Sequence, residues 1–490
     1  MVFWSRELFR TFETFGGEDL SEGLEEFLEG YLHDGKYPLT EEQKDYVRDC
    51  VDKDKGHVIN LSPAGFGKSV TLEALKAYLK DKLIICATTG IANSILFNNK
   101  GGDGTAHRVF SLSLGMFKDK DVSKVKPYCT GLFAPTDLVE YVVVEECGML
   151  NPDQLELIRL RLERFNKPIK GKRKKRNIKL ILQGDFLQLL PVLNQQDKNY
   201  LNSKYGSHLL FESKPFKKLD FIVHNFTKPL RTSEKTFQEC LNVMRYGQEE
   251  RYPNCIKWIN RRHSWALPEG LPLVTTTNKR VDEANAMAVR SNPEPPFSYK
   301  AKITGEFNMK DCPVDENLIL KKGLPVITLV NTDDYSNGSF GYVEECLSDG
   351  VFIHFPSVGE THFVDMFEFE QRESFLSTEK GEDGVEKAIL DSKVIGRAVC
   401  LPVKVAAAFS IHRMQGRTLD VPAVVDISYK GFDMTDEDND WGVNSAYVAL
   451  SRFTSVDLIH LKYPLQHTNI KSHIKPHTKA IEWLSEKGIL

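Results

Sequence analysis

No two cysteines in this 490-residue chain stand in a C-x-x-C spacing. The nine that exist, Cys50, Cys86, Cys129, Cys147, Cys240, Cys255, Cys312, Cys346 and Cys400, are scattered. That excludes zinc-finger and zinc-ribbon spacing, and the odd count argues against a disulfide framework. They read as reduced, mostly buried thiols. Long apolar runs are also missing. Leu401 to Ile411 is the most apolar late stretch, but it is too short to span a bilayer and contains Lys404. The opening MVFWSRELFRTFE is broken by Arg6, Glu7 and Arg10, unlike a secretory signal. The expectation is a soluble intracellular protein with no membrane partner, not assigned between cytoplasm and nucleus. Charge of one sign is scarce too: the net charge is −4. Any nucleic-acid contact must therefore come from local patches rather than a global basic field. No repeat of solenoid period is visible.

What is present is enough for two to four domains, with 41% hydrophobic residues. Residues 1–35 are acidic and aromatic, with Phe, Leu and Glu near helical spacing, and read as a helical extension. From Leu39 short β-branched runs alternate with helical segments: HVINL (57–61), LIICA (83–87), YVVVE (141–145) and KLILQG (179–184). This pattern predicts a parallel sheet with crossover helices. Residues 108–138 form an irregular insert. A second α/β unit begins near 226, with a strand in LPLVTTTN (271–278) and a helix from Lys279 to Arg290. Residues 318–400 are β-rich, and Asn337-Gly338 is a hairpin signal.

SPAGFGKSV (62–70) follows the strand HVINL directly and is followed by the amphipathic TLEALKAYL. A phosphate-binding loop needs G-x-x-x-x-G-K-S/T between a strand and a helix. Ser62 stands where the first glycine is usual. Ala64, Gly65 and Gly67 let backbone N–H groups converge on phosphate oxygens, Lys68 reaches the β- and γ-phosphates, and Ser69 offers its hydroxyl to Mg²⁺. YVVVEECGML (141–150) then supplies Glu145 as a metal carboxylate and Glu146 to activate the attacking water. Most such sites use Asp then Glu. In ILQGDFLQLLPV (181–192) a strand ends at Gly184-Asp185, and Gln188 can sense the γ-phosphate. No further carboxylate cluster has metal spacing, which leaves a nuclease unsupported.

In this order the motifs resemble superfamily 1 helicases of the RecD-like branch, nearest to the Pif-one group, from about Leu39 to Leu461. LTEEQ (39–43) resembles the Q motif, so Gln43 would read adenine. CATTGIAN (86–93) resembles motif Ia, with Thr88 and Thr89 at the DNA backbone, and GTAHRVF (104–110) brings His107. HNFTKPLRTSEKTFQECLNVMRYG (224–247) matches motif IV and makes Arg231 a γ-phosphate arginine. AAAFSIHRMQGRTLD (406–420) matches motif V with His412, Gln415, Gly416 and Thr418. NSAYVALSRFTSVDLI (444–459) matches motif VI, with Arg452 as the second arginine. Ser62, Glu145, Arg413 and Leu190 depart from the family's usual residues.

The resemblance implies an α/β fold of two RecA-like P-loop NTPase cores with ATP and Mg²⁺ between them. The first would span 36–225, with a small wedge insert at 108–138. The second would span 226–470, with an SH3-like β insert at 345–398, and a C-terminal helix would occupy 471–490. The catalytic set would be Lys68, Glu146, Gln188, Arg231 and Arg452. Ser69 and Glu145 would serve the metal, and Gly416 the nucleotide. Thr88, Thr89, His107, His412 and Thr418 would contact DNA, although either histidine also suits a structural role. The implied activity is an ATP-dependent DNA helicase, moving 5′ to 3′ on single-stranded DNA and acting on forked or tailed duplexes. Its implied setting is replication, recombination or repair, as a resting monomer that meets other replication or repair proteins. The alternative is a DNA-stimulated ATPase that remodels protein–DNA complexes without unwinding. The basic run Lys170 to Lys179 stays open between solvated loop, import signal and phosphate-contacting arm. Phe110, Phe117 and Phe133 stay open between wedge tip and core.

Overall fold

The computed structural model describes residues 20–490 except 89–103, 111, 113–115, 117–138, 168–176, 192, 269, 310–311, 313, 331, 333, 336–338, 357, 381–385, 412–413, 416–417, 428–443 and 467–475. Phe117 and Phe133, most of the expected wedge insert and most of the basic run lie outside the described residues.

The β-branched runs become one six-stranded parallel sheet. Its order is Gly104–Thr105, Leu83–Ala87, Tyr141–Glu145, Lys179–Gln183, Val58–Asn60, Ile222–His224. The four central strands are buried along their whole length. Helices cover both faces, so these strands can be apolar without alternation. Helix starts are fixed locally. Thr40 and Gln43 form a capping box on Glu41–Val51, and Asn151 and Gln154 form another on Pro152–Asn166. The described part of the N-terminal extension is the helix Leu20–Gly30 and then the short strand Leu32–His33, which pairs with Tyr37–Pro38 and so departs from the all-helical reading. The helix buries Leu24 and Leu28 in the first core, while Glu25 and Glu29 pair with Arg48 and Lys44.

The second core is a four-stranded parallel sheet in the order Ala408–Ser410, Leu273–Thr275, Ala423–Asp426, Ile459–Leu461. Between its first two strands in the chain lies the β-rich segment. Here the structure draws wider bounds than 345–398. A five-stranded antiparallel sheet runs from Glu360–Asp365 at one edge, through Gly350–Phe355, Phe340–Cys346 and Pro325–Thr328, to Val403–Val405 at the other. Pro325–Thr328 pairs with both Phe340–Cys346 and Val403–Val405, so neither 345 nor 398 is a boundary. Strands at Phe297–Lys300 and Asn317–Leu320 precede it, and Phe367–Lys380 and Glu386–Cys400 form a long hairpin. The segment has its own apolar cluster around Leu320, Val326, Ile353 and Val403.

The C-terminal helix Thr478–Glu486 returns to the first core. Ala480 and Leu484 join that core's apolar cluster. Trp483 packs 5.7 Å from Phe186, 5.9 Å from Phe211 and 5.7 Å from Phe216, centroid to centroid. The tail thus straps the two cores together.

Candidate nucleotide cleft and strand-contact residues

Val58–Asn60 ends at the phosphate loop, and Lys68 opens the helix Lys68–Leu79. Gly65 and Gly67 have φ of +81° and +85°, where a side chain is strained. At Gly65 space forbids one as well, because a Cβ there would lie 2.6 Å from Arg231 Cβ. Ser62, by contrast, earns its hydroxyl. Its Oγ donates to Asn60 Oδ1 at 2.5 Å and accepts from Phe226 N at 2.6 Å, tying the loop to the linker that enters the second core.

Lys68 donates to the carbonyls of Ser62 at 2.6 Å and Pro63 at 3.1 Å. Burial draws its pKa down, against the pull of Asp185, Glu145 and Glu146. Arg231 reaches back from the linker. Its backbone N donates to Gly65 O at 3.0 Å, and its guanidinium donates to Ser451 O at 2.7 Å. Arg452 is 1% exposed and donates to Val448 O at 3.0 Å and Ser451 Oγ at 2.8 Å. Burial, then the neighbouring Arg452, draws Arg231 down to about 9, and burial lowers Arg452 too. Desolvation thus draws all three cations down, and Arg231 lines a cleft with Pro63, Ala64, Gly65, Tyr447 and Ser451. Buried like charges of this kind are relieved by a polyanion.

The carboxylates stand on the tip of Tyr141–Glu145. Burial, then Glu146, pushes Glu145 up to about 7. A carboxylate in that state suits a divalent cation, with Ser69 as a second ligand. Among the described residues no group of three or more His, Cys, Asp or Glu could hold a metal alone. Glu146 holds a left-handed backbone, φ 55° and ψ 42°, sparsely populated for a non-glycine residue. Gln188 is buried and donates to Asp185 Oδ2 at 3.3 Å, while its own Oε1 has no partner. Gln43 is engaged locally: Oε1 accepts from Thr40 N at 2.9 Å and Nε2 donates to Gly67 O at 3.3 Å.

A model of the PIF1-like helicase family matches residues 38–257, from the Q motif through motif IV. Over those residues the chain resembles the Pif1-like helicases. It is 26% identical over 420 residues to the ATP-dependent DNA helicase Pif1 of Campylobacter jejuni, covering 81% of this chain and 87% of that one. It is 27% identical over 322 residues to the ATP-dependent DNA helicase RRM3 of Saccharomyces cerevisiae, covering 62% of this chain and 42% of that larger protein. In fold it is similar to Bacteroides sp Pif1 in complex with ADP-AlF4, with a TM-score of 0.69 at 23% identity over 92% of this chain and 98% of that one. Pif1 helicase from Candida albicans gives 0.65 at 23% identity, over 92% of this chain and 99% of that one. Among the described residues no helix is long and apolar enough to cross a membrane.

The expected strand-contact residues are placed unevenly. Thr88 closes Leu83–Ala87, its N donating to Glu145 O at 3.1 Å and its hydroxyl to Glu146 O at 3.0 Å. His107 Nε2 lies 3.2 Å from Gln154 Nε2. An amide nitrogen only donates, so His107 Nε2 accepts and its proton is assigned to Nδ1. Burial lowers its pKa, which favours that neutral form. Phe110 is in the first core's apolar cluster. Thr418 is exposed beside the Leu419–Phe453 bridge. Thr89, His412 and Gly416 lie outside the described residues.

Sequence reasoning left three residues unassigned that the fold brings to the cleft. Arg245 and Asp185, both fully buried, form a bidentate ion pair at 3.1 and 2.9 Å. Tyr447 donates to Asp185 Oδ2 at 3.4 Å and accepts from Ala64 N at 3.3 Å. One signal was available: Arg245 stands beside Val243 and Met244 on the apolar side of Lys235–Tyr246, where a charge needs a partner.

Proposed function

We propose that this chain is an ATP-dependent DNA helicase that moves 5′ to 3′ along single-stranded DNA and opens forked or 5′-tailed duplexes in replication, recombination or repair. The observation that carries it is the phosphate loop itself, with Lys68 opening its helix and Arg231 held against it by N–H to Gly65 O while its guanidinium reaches Ser451 O beside Arg452. The loop amides and Lys68 hold the β- and γ-phosphates, with Lys68 exchanging its carbonyl partners for phosphate oxygens. Glu146 takes the proton of the attacking water. Arg231 and Arg452 meet the charge that develops on the transferred group. Ser69 and Glu145 would hold a Mg²⁺ ion, which would neutralise phosphate charge.

Because the arginines belong to the motifs of the second core and its linker, phosphate occupancy favours the closed pair of cores. A strand lying across both would be gripped in turn by Thr88, Thr89 and His107 on the first and by His412 and Thr418 on the second. The different affinities of the open and closed states give direction. The 5′-to-3′ sense rests on the family resemblance. Thr88 supports a link between strand and chemistry, since its hydroxyl binds the backbone of Glu146.

The test measures ATP hydrolysis with and without single strands, then opening of forks carrying one tail of either polarity. Stimulated hydrolysis and opening of 5′-tailed forks are expected, and Lys68→Ala should abolish both. Opening only 3′-tailed forks would overturn the polarity. Stimulated hydrolysis with no opening at all would favour the remodelling ATPase.

A further inference from the structure

Beneath the cleft, Asp185 is the meeting point of both cores. It accepts from Arg245 Nε and Nη2, from Tyr447 Oη, from Gln188 Nε2 and from Leu187 N. Arg245 Nη2 also donates to Leu61 O at 3.1 Å, on the approach to the phosphate loop. Asn444, with left-handed φ of 54°, donates to Leu187 O at 3.2 Å. A buried ion pair of this kind costs desolvation and is retained where it fixes one arrangement over others. The arrangement fixed here is that of one core against the other.

Among the described residues, Tyr447 is the one side chain hydrogen-bonded both to a phosphate-loop backbone N–H and to Asp185. Its hydroxyl has a single proton, which goes to Asp185, while its oxygen accepts from Ala64 N–H. Burial and the Asp185 carboxylate hold the phenol protonated. The Ala64 amide is therefore satisfied by a neutral hydroxyl while the loop's lysine is satisfied by carbonyls. A phosphate group is a charged and stronger acceptor than either. When it takes the loop, the hydroxyl loses its hold on Ala64 and keeps Asp185. Tyr447 lies on Ser445–Leu450, every residue of which is buried, and the same segment runs on to Ser451 and Arg452. A shift of Tyr447 is a shift of that segment, because a fully packed helix moves as a body.

We infer that Tyr447 is a positioning residue that reports occupancy of the phosphate loop to the second core, acting through Asp185 and Arg245. This rests on the ATP-driven reading above. Tyr447→Phe fills the same space and removes both hydrogen bonds. Alongside the parent, Asp185→Asn and the double variant, it is assayed for strand-stimulated turnover, nucleotide affinity with a fluorescent ADP, and melting temperature. Assays run where all four proteins are folded. Tyr447→Phe should keep nucleotide affinity within about threefold and lower strand-stimulated kcat about tenfold, the scale of one lost hydrogen bond. A residue serving packing alone would move melting and leave kcat in place. If Tyr447 acts through Asp185, the double variant loses no more than the worse single. A strand-stimulated parent with an equally stimulated Tyr447→Phe overturns the inference, as do losses that multiply in the double. A parent with no strand-stimulated turnover overturns the helicase reading and this one together.

Discussion

Glu146 combines two properties seldom found in one residue: a carboxylate facing a phosphate loop and a left-handed backbone with a side chain attached. The Thr88 hydroxyl holds that backbone by its carbonyl. Glu146→Gln preserves shape and hydrogen-bond reach and removes only the base. Turnover should fall by about 10²–10⁴-fold with nucleotide binding retained. Rapid-quench hydrolysis beside equilibrium nucleotide binding checks this, and a large loss of binding would point to a metal role instead. Gly65 is constrained in a different way. Both its φ of +81° and the 2.6 Å approach of Arg231 Cβ oppose a methyl group. Gly65→Ala should therefore displace Arg231 and weaken nucleotide affinity as well as turnover, by at least tenfold each, measured by titration and steady-state kinetics. Unchanged affinity would mean that the linker yields freely. The phosphate loop, both carboxylates and both arginines could be proposed from sequence because each belongs to a contiguous motif. Arg245 and Tyr447 sat inside quoted motifs, yet their role depends on which residue across the cleft they meet. That contact spans 60 positions for Arg245 and 262 for Tyr447.

At the scale of elements, strands buried on both faces announced themselves as β-branched runs, and four of the six in the first sheet were placed within a residue or so. Gly104–Thr105 and Ile222–His224 are short and give too little pattern to read. The β-rich segment was read as such, but its bounds depend on Pro325–Thr328 pairing with Val403–Val405, which no local signal records. The docking of Thr478–Glu486 on the first core was equally invisible, because its apolar face fits any apolar partner. One sheet element also carries a pH dependence. His57 Nδ1 accepts from Leu180 N at 3.1 Å, and burial, then Lys179, lowers its pKa from 6.5 to about 4. The folded state thus disfavours the protonated ring. Its contribution to stability is present above about 6.5 and is lost as pH falls through the window down to about 4. The loss should be about 2 kcal/mol after allowance for partial exposure. His57→Asn keeps an acceptor near Nδ1 and cannot titrate there. Its melting temperature should fall less steeply than the parent's between those two pH values. Parallel slopes would remove His57 from the account.

For the whole molecule, the structure holds two parallel-sheet cores strapped by the C-terminal helix, with a β segment whose apolar cluster is largely its own. Excising 345–398 would cut through Phe340–Cys346 and Glu386–Cys400 and leave unpaired strand edges. The physical unit to remove is 293–405. Both flanks of that cut belong to the second core: Asn278–Ser291 packs on Ala408–Ser410, and Ala408 N donates to Asn285 Oδ1 at 2.9 Å. Some packing is sacrificed, since Phe340 lies 6.4 Å from Phe409 and Lys321 bonds Asn292 O. The cleft residues from Gln43 to Arg245 and from Tyr447 to Arg452 all lie outside the excised stretch. With a Gly/Ser linker in its place, nucleotide affinity should stay within about threefold of the parent, because no cleft contact is removed. Opening of long duplexes should fall by more than about tenfold while short forks still open, if the segment keeps the strand from escaping between steps. Single-turnover unwinding against a trap strand, over a series of duplex lengths, separates the two. A variant that opens long and short duplexes as the parent does would show that strand retention resides in the two cores alone.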